Sequence, residues 1–153
     1  DSLTIAKYIE NNTRVIDIGS GAGLPGIPLA IVRPDIIVAL AECNGRKASF
    51  LRQAISDLGL SNIGVVNSRV EDFIPKKKFD VSVSRAFSSL TNLVEVSRPL
   101  LADKGYILAM KGMHPSAELA EIDYPYEVFN LQAFGDEVER CLVLVDGESF
   151  AGN

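Results

Sequence analysis

The sequence predicts an α/β fold, a mostly parallel seven-stranded sheet covered by helices on both faces and closed by an antiparallel C-terminal hairpin. Three observations predict it. Short aliphatic runs alternate with stretches of helical period along most of the chain, a glycine-rich turn follows the first of these runs, and two longer apolar-patterned segments come last. Parallel strands buried on both faces read as continuous apolar runs, whereas a late hairpin needs only a tight turn between two strands.

The elements follow in order. Residues 2–9 are expected to form a helix, 15–18 the first strand, and 26–32 a helix that stops before Pro34. The second strand is expected over 36–40. Residues 46–58 have a helical pattern that sets Phe50, Leu51, Ala54, Ile55 and Leu58 on one side. Residues 63–66 and 79–84 read as the third and fourth strands, 90–96 as a short helix ending before Pro99, and 105–110 as the fifth strand. A helix near 116–121 and two strands over 126–134 and 137–145, joined at Gly135-Asp136, complete the pattern, so that one late strand runs antiparallel to the others. This order resembles the class I S-adenosylmethionine-dependent methyltransferase (Rossmann-like) fold rather than a dinucleotide dehydrogenase.

The glycine turn is the strongest functional signal. Asp17-Ile18-Gly19-Ser20-Gly21-Ala22-Gly23-Leu24-Pro25-Gly26 joins a strand to a helix start, where free backbone N–H groups and close backbone approach suit a nucleotide-like ligand. Two cofactors fit the spacing. Gly21 to Gly26 satisfies G-x-G-x-x-G, and Glu42 follows about 20 residues on, as a dinucleotide site requires. Asp17 favours the other reading, because a carboxylate there would repel a pyrophosphate but accept from the ammonium group of S-adenosylmethionine. The cofactor candidates are therefore Asp17, Gly19, Ser20, Gly21, Gly23 and Leu24, with Glu42 placed to receive the ribose hydroxyls. After the third strand, Val70 offers an apolar wall for an adenine, while Glu71 and Asp72 are suited to a ligand contact or to a helix N-terminus.

Composition narrows the classes. The chain has 153 residues, 47% of them hydrophobic, which is one domain with a continuous core. A single domain spanning 1–153 is expected. No run approaches the roughly 18 apolar residues of a membrane span, and no basic-then-apolar secretion signal is present, so a cytoplasmic protein without a membrane partner is expected. Cys43 and Cys141 suggest two free thiols, which leaves the sequon Asn11-Asn12-Thr13 unread. The single histidine, His114, suits a helix start or surface position better than a catalytic base, and no metal site is expected. The net charge of −5 is unevenly spread: residues 1–117 hold 14 Lys and Arg against 11 Asp and Glu, whereas 118–153 hold one Arg against nine acids. A local basic face could meet a polyanion despite the acidic total.

Four cations, Arg46, Arg69, Arg85 and Lys111, stand at expected strand ends or loop edges on one side of the sheet, with Lys47 beside the first. Each suits a phosphate or a guanine edge. The run Lys76-Lys77-Lys78 reads as a solvated loop. Ser84-Arg85-Ala86-Phe87 occupies the rim where an acceptor would meet the methyl group. It lacks the Pro-Pro-aromatic tetrad of enzymes that methylate exocyclic amines, and neither cysteine follows a proline as pyrimidine C5 chemistry needs. A ring nitrogen such as guanine N7 exposes a lone pair without a proton, so its methylation asks for alignment and cations rather than a base.

Together, Asp17 to Ala30, Arg46-Lys47 with Phe50-Leu51-Arg52, Ser68-Arg69-Val70-Glu71, Ser84-Arg85-Ala86-Phe87 and Met110-Lys111-Gly112 resemble the glucose-inhibited division protein B family. These are bacterial small-subunit ribosomal RNA methyltransferases acting on guanine N7. The resemblance covers Asp1 to about Gly112 and implies a cofactor site at Asp17, Gly19, Gly21, Glu42, Val70 and Glu71. It implies contacts to RNA or to the cofactor carboxylate at Arg46, Arg69, Arg85 and Lys111, of which Arg85, Arg69 and Lys111 are the catalytic candidates; Arg85 counts for both ligands. Two departures stand out: Glu42 replaces the family's usual Asp, and Arg46-Lys47 replaces Lys-Arg. The family also carries a helical segment before the point matching Asp1, so an N-terminally shortened member is expected. The expected partner is small-subunit (16S) ribosomal RNA or its ribonucleoprotein, met by a monomer. An NAD-binding oxidoreductase and a non-catalytic RNA- or protein-binding module are the alternatives.

Overall fold

The computed structural model describes residues 2–85, 87, 89–131 and 139–146. Seven strands form one sheet in the order β3-β2-β1-β4-β5-β7-β6. They are β1 (Arg14–Ile18), β2 (Ile37–Ala41), β3 (Ile63–Val66), β4 (Phe79–Ser84), β5 (Leu101–Lys111), β6 (Tyr126–Leu131) and β7 (Arg140–Asp146). Neighbours from β3 to β5 pair in parallel, and β7 runs antiparallel to both β5 and β6. The expected antiparallel late strand is thus β7. The turn expected at Gly135-Asp136 lies outside the described residues.

Alternation along the central strands divides the core in two, because successive side chains leave a strand on opposite faces. Val15, Val81, Val83, Leu108 and Leu142 join Leu29, Ala30 and Leu51 on the face covered by helices α1 (Gly26–Val32) and α2 (Gly45–Leu58). Ile16, Ile18, Ile107, Ala109 and Val143 join Leu90, Leu93, Val94 and Leu119 on the face covered by α3 (Leu90–Ser97) and the short α4 (Ser116–Leu119). A buried hydrogen bond of 2.8 Å between the Ser82 and Ser97 hydroxyls satisfies the polar groups that β4 and α3 enclose there.

Three expectations need correction. The helix expected over 2–9 is a turn followed by a 3-10 segment, Ala6–Tyr8. Side chains hold the end of this segment: Arg33 donates to the carbonyls of Ala6 at 2.8 Å and Ile9 at 2.9 Å, and the Tyr106 hydroxyl donates to that of Tyr8 at 2.8 Å. Ile5 and Ile9 are anchored in the core, so tertiary contacts fix this segment where local propensity does not. Secondly, Phe50 and Leu58 are not buried with Leu51 but 59% and 53% exposed, Leu58 because it ends the helix and Phe50 because it stands off the buried stripe. The buried stripe of α2 runs through Ala48 and Leu51, and a step of one residue turns a side chain about 100° around the axis. Thirdly, β5 begins four residues earlier than expected and α4 stops at Leu119, two residues short.

A glycine at the start of α1 sets how closely this helix approaches the sheet. A Cβ at Gly26 would lie 2.2 Å from Leu40 Cδ2 and 2.8 Å from Asp17 Oδ2. Gly26→Ala is expected to cost about 1–3 kcal/mol through this overpacking. Gly64→Ala, where no heavy atom lies within 4 Å, is expected to stay within about 0.5 kcal/mol. Urea titrations of the two variants check the contrast; equal stabilities would show that α1 moves away freely.

Candidate active site

In an open parallel sheet, ligands bind beyond the carboxyl ends of the strands where the strand order reverses. Here the chain passes from β1 outward to β2 and β3, then returns to β4 on the other side of β1. The glycine turn, Glu42, Arg69, Arg85 and Lys111 all follow or end strands at this edge. Ser84 spans the reversal, its hydroxyl donating to the Ile18 carbonyl at 3.2 Å.

The turn after β1 is held from beneath. Asp17 sits on the α1 and α2 face of β1, fully buried, and its Oδ2 accepts the Gly26 N–H at 2.9 Å. Its Oδ1 is buried with no hydrogen-bond partner among the described residues. Burial pushes the Asp17 carboxyl up to about 8, the Gly26 N–H opposes this shift and the nearby Glu42 charge adds to it. Ser20 is buried too, donating from its hydroxyl to the Asp17 carbonyl at 3.1 Å, and the backbone N–H groups of Gly19 and Ser20 reach the Ala41 carbonyl at 3.1 and 3.3 Å. Gly19 has φ +70° and nothing within 4 Å of where a Cβ would stand, so the loop presents open space there. Gly23 is the opposite case: its φ is +93° and a Cβ would meet Ile27 at 2.5 Å. Leu24 is half-buried beside it.

Glu42 is 7% exposed at the end of β2, with Oε2 accepting the Gly21 N–H at 3.1 Å and Oε1 accepting the Asn44 N–H at 3.2 Å. Each oxygen retains lone-pair capacity for a further donor. Asn67, which the sequence reading did not single out, fixes this strand end by donating to the carbonyls of Glu42 at 2.9 Å and Cys43 at 3.2 Å. An asparagine just beyond an expected strand was the available hint. Asn44 caps α2, its side-chain oxygen accepting from the N–H groups of Arg46 and Lys47 at 3.0 and 3.1 Å, a residue the sequence reading did not single out. Val70 begins a 3-10 turn and packs against the second core cluster, while Glu71 and Arg69 are exposed beside it.

This structure meets two requirements of an adenosyl cofactor carrying an amino-acid end. A buried carboxylate oxygen lacks a partner, and the glycine turn leaves room beside a second carboxylate with acceptor capacity. Both belong to the residues the sequence reading selected for S-adenosylmethionine.

The candidate cations separate into two groups. Arg85 and Lys111 line one cavity of about 160 Å³ together with Met110, Gly112, Leu131, Arg140 and Cys141. Arg140 was missed because it lies in the acidic tail; β7 pairing, which sets Leu131 opposite Arg140 and Lys111 opposite Cys141, brings it to this edge. Lys111 is paired, with Nζ 3.0 Å from Glu118 Oε1 and a longer bond to the Phe87 carbonyl at 3.4 Å. Arg46, Lys47 and Arg69 are exposed and lie outside the residues lining this cavity. His114 bonds Ser116 at 3.0 Å on the surface at the start of α4, and Lys78 donates to the Pro99 carbonyl.

A carboxyl whose folded pKa stands above its unfolded value keeps a proton in the folded state that the unfolded chain has released. Stability from Asp17 therefore falls as pH rises between the ordinary 3.8 and about 8, and levels off above. Asp17→Asn, which keeps an oxygen for the Gly26 N–H, is expected to flatten stability against pH between 5 and 8. Denaturant midpoints across that range test it; an unchanged slope in the variant would assign the titration elsewhere.

Comparison with known proteins follows the same line. The family model for GidB, rRNA small subunit methyltransferase G, matches residues 1–138. The ribosomal RNA small subunit methyltransferase G of Chromobacterium violaceum is 46% identical over 146 residues, covering 94% of this chain and 70% of that protein. Its counterpart from Laribacter hongkongensis is 47% identical with the same shares. Among solved structures, a SAM dependent methyltransferase from Aquifex aeolicus superposes with a TM-score of 0.73 at 16% identity, over 95% of this chain and 89% of that one, a likeness of fold. Identity near one half across almost the whole described sheet goes further than shared architecture: the chain belongs to the GidB family, rRNA small subunit methyltransferase G.

Proposed function

We propose that this chain transfers a methyl group from S-adenosylmethionine to N7 of a guanine in 16S ribosomal RNA. The observation that carries the reading is a juxtaposition at one sheet edge. The two-carboxylate glycine turn stands at the strand-order reversal, and a cation-lined cavity opens at the ends of β4 and β5 on the same sheet edge. Family membership favours methyl transfer over the dinucleotide and non-catalytic alternatives.

When bound, S-adenosylmethionine supplies an electrophilic methyl group on a sulfonium. Glu42 receives the ribose hydroxyls through the lone pairs that Gly21 and Asn44 leave open. Asp17 faces the cationic amino-acid end from beneath the loop, with Gly19, Ser20, Gly21, Gly23 and Leu24 forming the loop itself, and Val70 and Glu71 flank the adenine. Arg85 orients the guanine and its phosphates; Arg69, Lys111, Arg46 and Lys47 extend the contact to RNA. Lys111 differs from Arg85 in being neutralised by Glu118, so it shapes the cavity more than it attracts a polyanion. N7 carries its own lone pair, so alignment for in-line displacement is the main demand, and no general base is required. The chain acts as a single domain and a monomer in the cytoplasm; no helix among the described residues is long and apolar enough to cross a membrane.

Methyl incorporation from labelled cofactor into small subunits that lack the modification tests the reaction. Arg85→Ala is expected to lower it about 100-fold, as loss of alignment does, with the affinity for S-adenosylhomocysteine within about threefold of the original. Equal losses in both would move Arg85 to the cofactor side. A cation arriving beside Asp17 favours its ionised form, so S-adenosylmethionine binding at pH 7 is expected to release a fraction of a proton. Calorimetry in buffers of different ionisation enthalpy reads this release, and Asp17→Asn should abolish it.

A further inference from the structure

We propose that the outer face of α2, centred on Phe50, is a stacking platform for an unpaired base of the RNA substrate, with Arg46 and Lys47 holding the adjoining phosphates. The inference rests on the function proposed above and adds a contact residue to it. Phe50 is 59% exposed, whereas Ala48 and Leu51 beside it on the helix are buried. A lone exposed apolar side chain is ordinary on a protein surface. This one is an aromatic ring with cations three and four residues before it, positions that share its side of a helix.

Within four residues of the ring, every charged residue of α2 is a cation. The first turn of α2 contains no acid, and the salt bridges found among the described residues, Arg33 to Asp35 and Lys111 to Glu118, leave Arg46, Lys47 and Arg52 without a carboxylate partner. Asp57 lies seven residues beyond Phe50, and its Oδ1 accepts from Gln53 at 2.8 Å. Position completes the argument. The Asn44 cap starts α2 directly after the β2 end that carries Glu42, so the platform borders the cofactor edge of the sheet. Exposed aromatics among unneutralised cations suit single-stranded RNA, whose bases offer π-faces and whose backbone carries phosphates.

The sequence has no tryptophan, so Phe50→Trp installs one fluorophore at the platform. The probe is a short single-stranded oligoribonucleotide containing one guanine, added to the full chain loaded with S-adenosylhomocysteine. Phe50→Trp is expected to bind it as the original chain does, with saturable quenching that weakens as salt rises and is lost when Arg46 and Lys47 are both changed to alanine. Phe50→Ala should bind the oligonucleotide about tenfold more weakly, as loss of one stacked base does, with cofactor affinity unchanged. Unquenched tryptophan, or Phe50→Ala binding at full strength, overturns the platform. So does a Phe50→Ala defect confined to methylation of assembled subunits with naked RNA bound normally, which would assign the ring to a ribosomal protein. If the original chain binds cofactor but neither binds nor methylates RNA, the proposed function falls and the platform with it; if it methylates RNA and Phe50→Ala does so equally well, the platform alone falls.

Discussion

The hydrogen bond from the Gly26 N–H to Asp17 Oδ2 is the constraint around which the site is built. It ties the end of the central strand to the first turn of α1, and it does so inside the core, where a broken bond would leave a buried carboxyl group without that donor. Gly26 makes the bond possible, since any side chain there would collide with Leu40 and with the carboxylate itself. The intervening loop must then arch over the sheet edge, and its backbone satisfies itself locally through the Ala41 carbonyl and the Ser20 hydroxyl. The open space at Gly19 follows from that arch.

Around this anchor, the strand ends divide the chemistry. On the β2 side of the reversal, two carboxylates and a glycine loop favour a cationic, hydroxyl-bearing ligand. On the β4 and β5 side, Arg85, Lys111 and Arg140 gather at a cavity, where Lys111 pairs with Glu118. Acidic and basic groups thus collect at different strand ends of the same sheet edge, which is the division the proposed reaction asks of a cationic donor and a polyanionic acceptor. An acidic total charge is compatible with this arrangement because the relevant potential is set within roughly a Debye length of the site, not by the whole chain.

The far end of the sheet depends on a second device. Arg33, gripped by both Asp35 oxygens at 2.8 Å, spends its remaining donors on carbonyls of the first residues of the chain. The guanidinium also holds the Asp35 carboxyl well below the usual carboxylate range. These bonds fix the C-terminal end of the opening segment, whose own backbone closes the tighter i to i+3 bonds of a 3-10 turn, and Ile5 and Ile9 are buried by the resulting path.

The sequence by itself determined the strand order, the helices after β1, the glycine turn and the selection of Asp17 and Glu42 as the acids at strand ends, because each depends on period or spacing within a few residues. Arg85 and Lys111 were likewise legible as strand-end residues in a parallel sheet. Tertiary structure alone decided what spacing cannot encode. It turned Phe50 outward although the helical pattern sets it beside Leu51, brought Arg140 from an acidic tail to the Arg85 cavity through β7 register, and paired Lys111 with Glu118. It also gave Asp17 its hold on Gly26 and the burial that raises its pKa. These outcomes depend on which surfaces meet and how much water is excluded between them, and that is fixed only once the sheet is assembled.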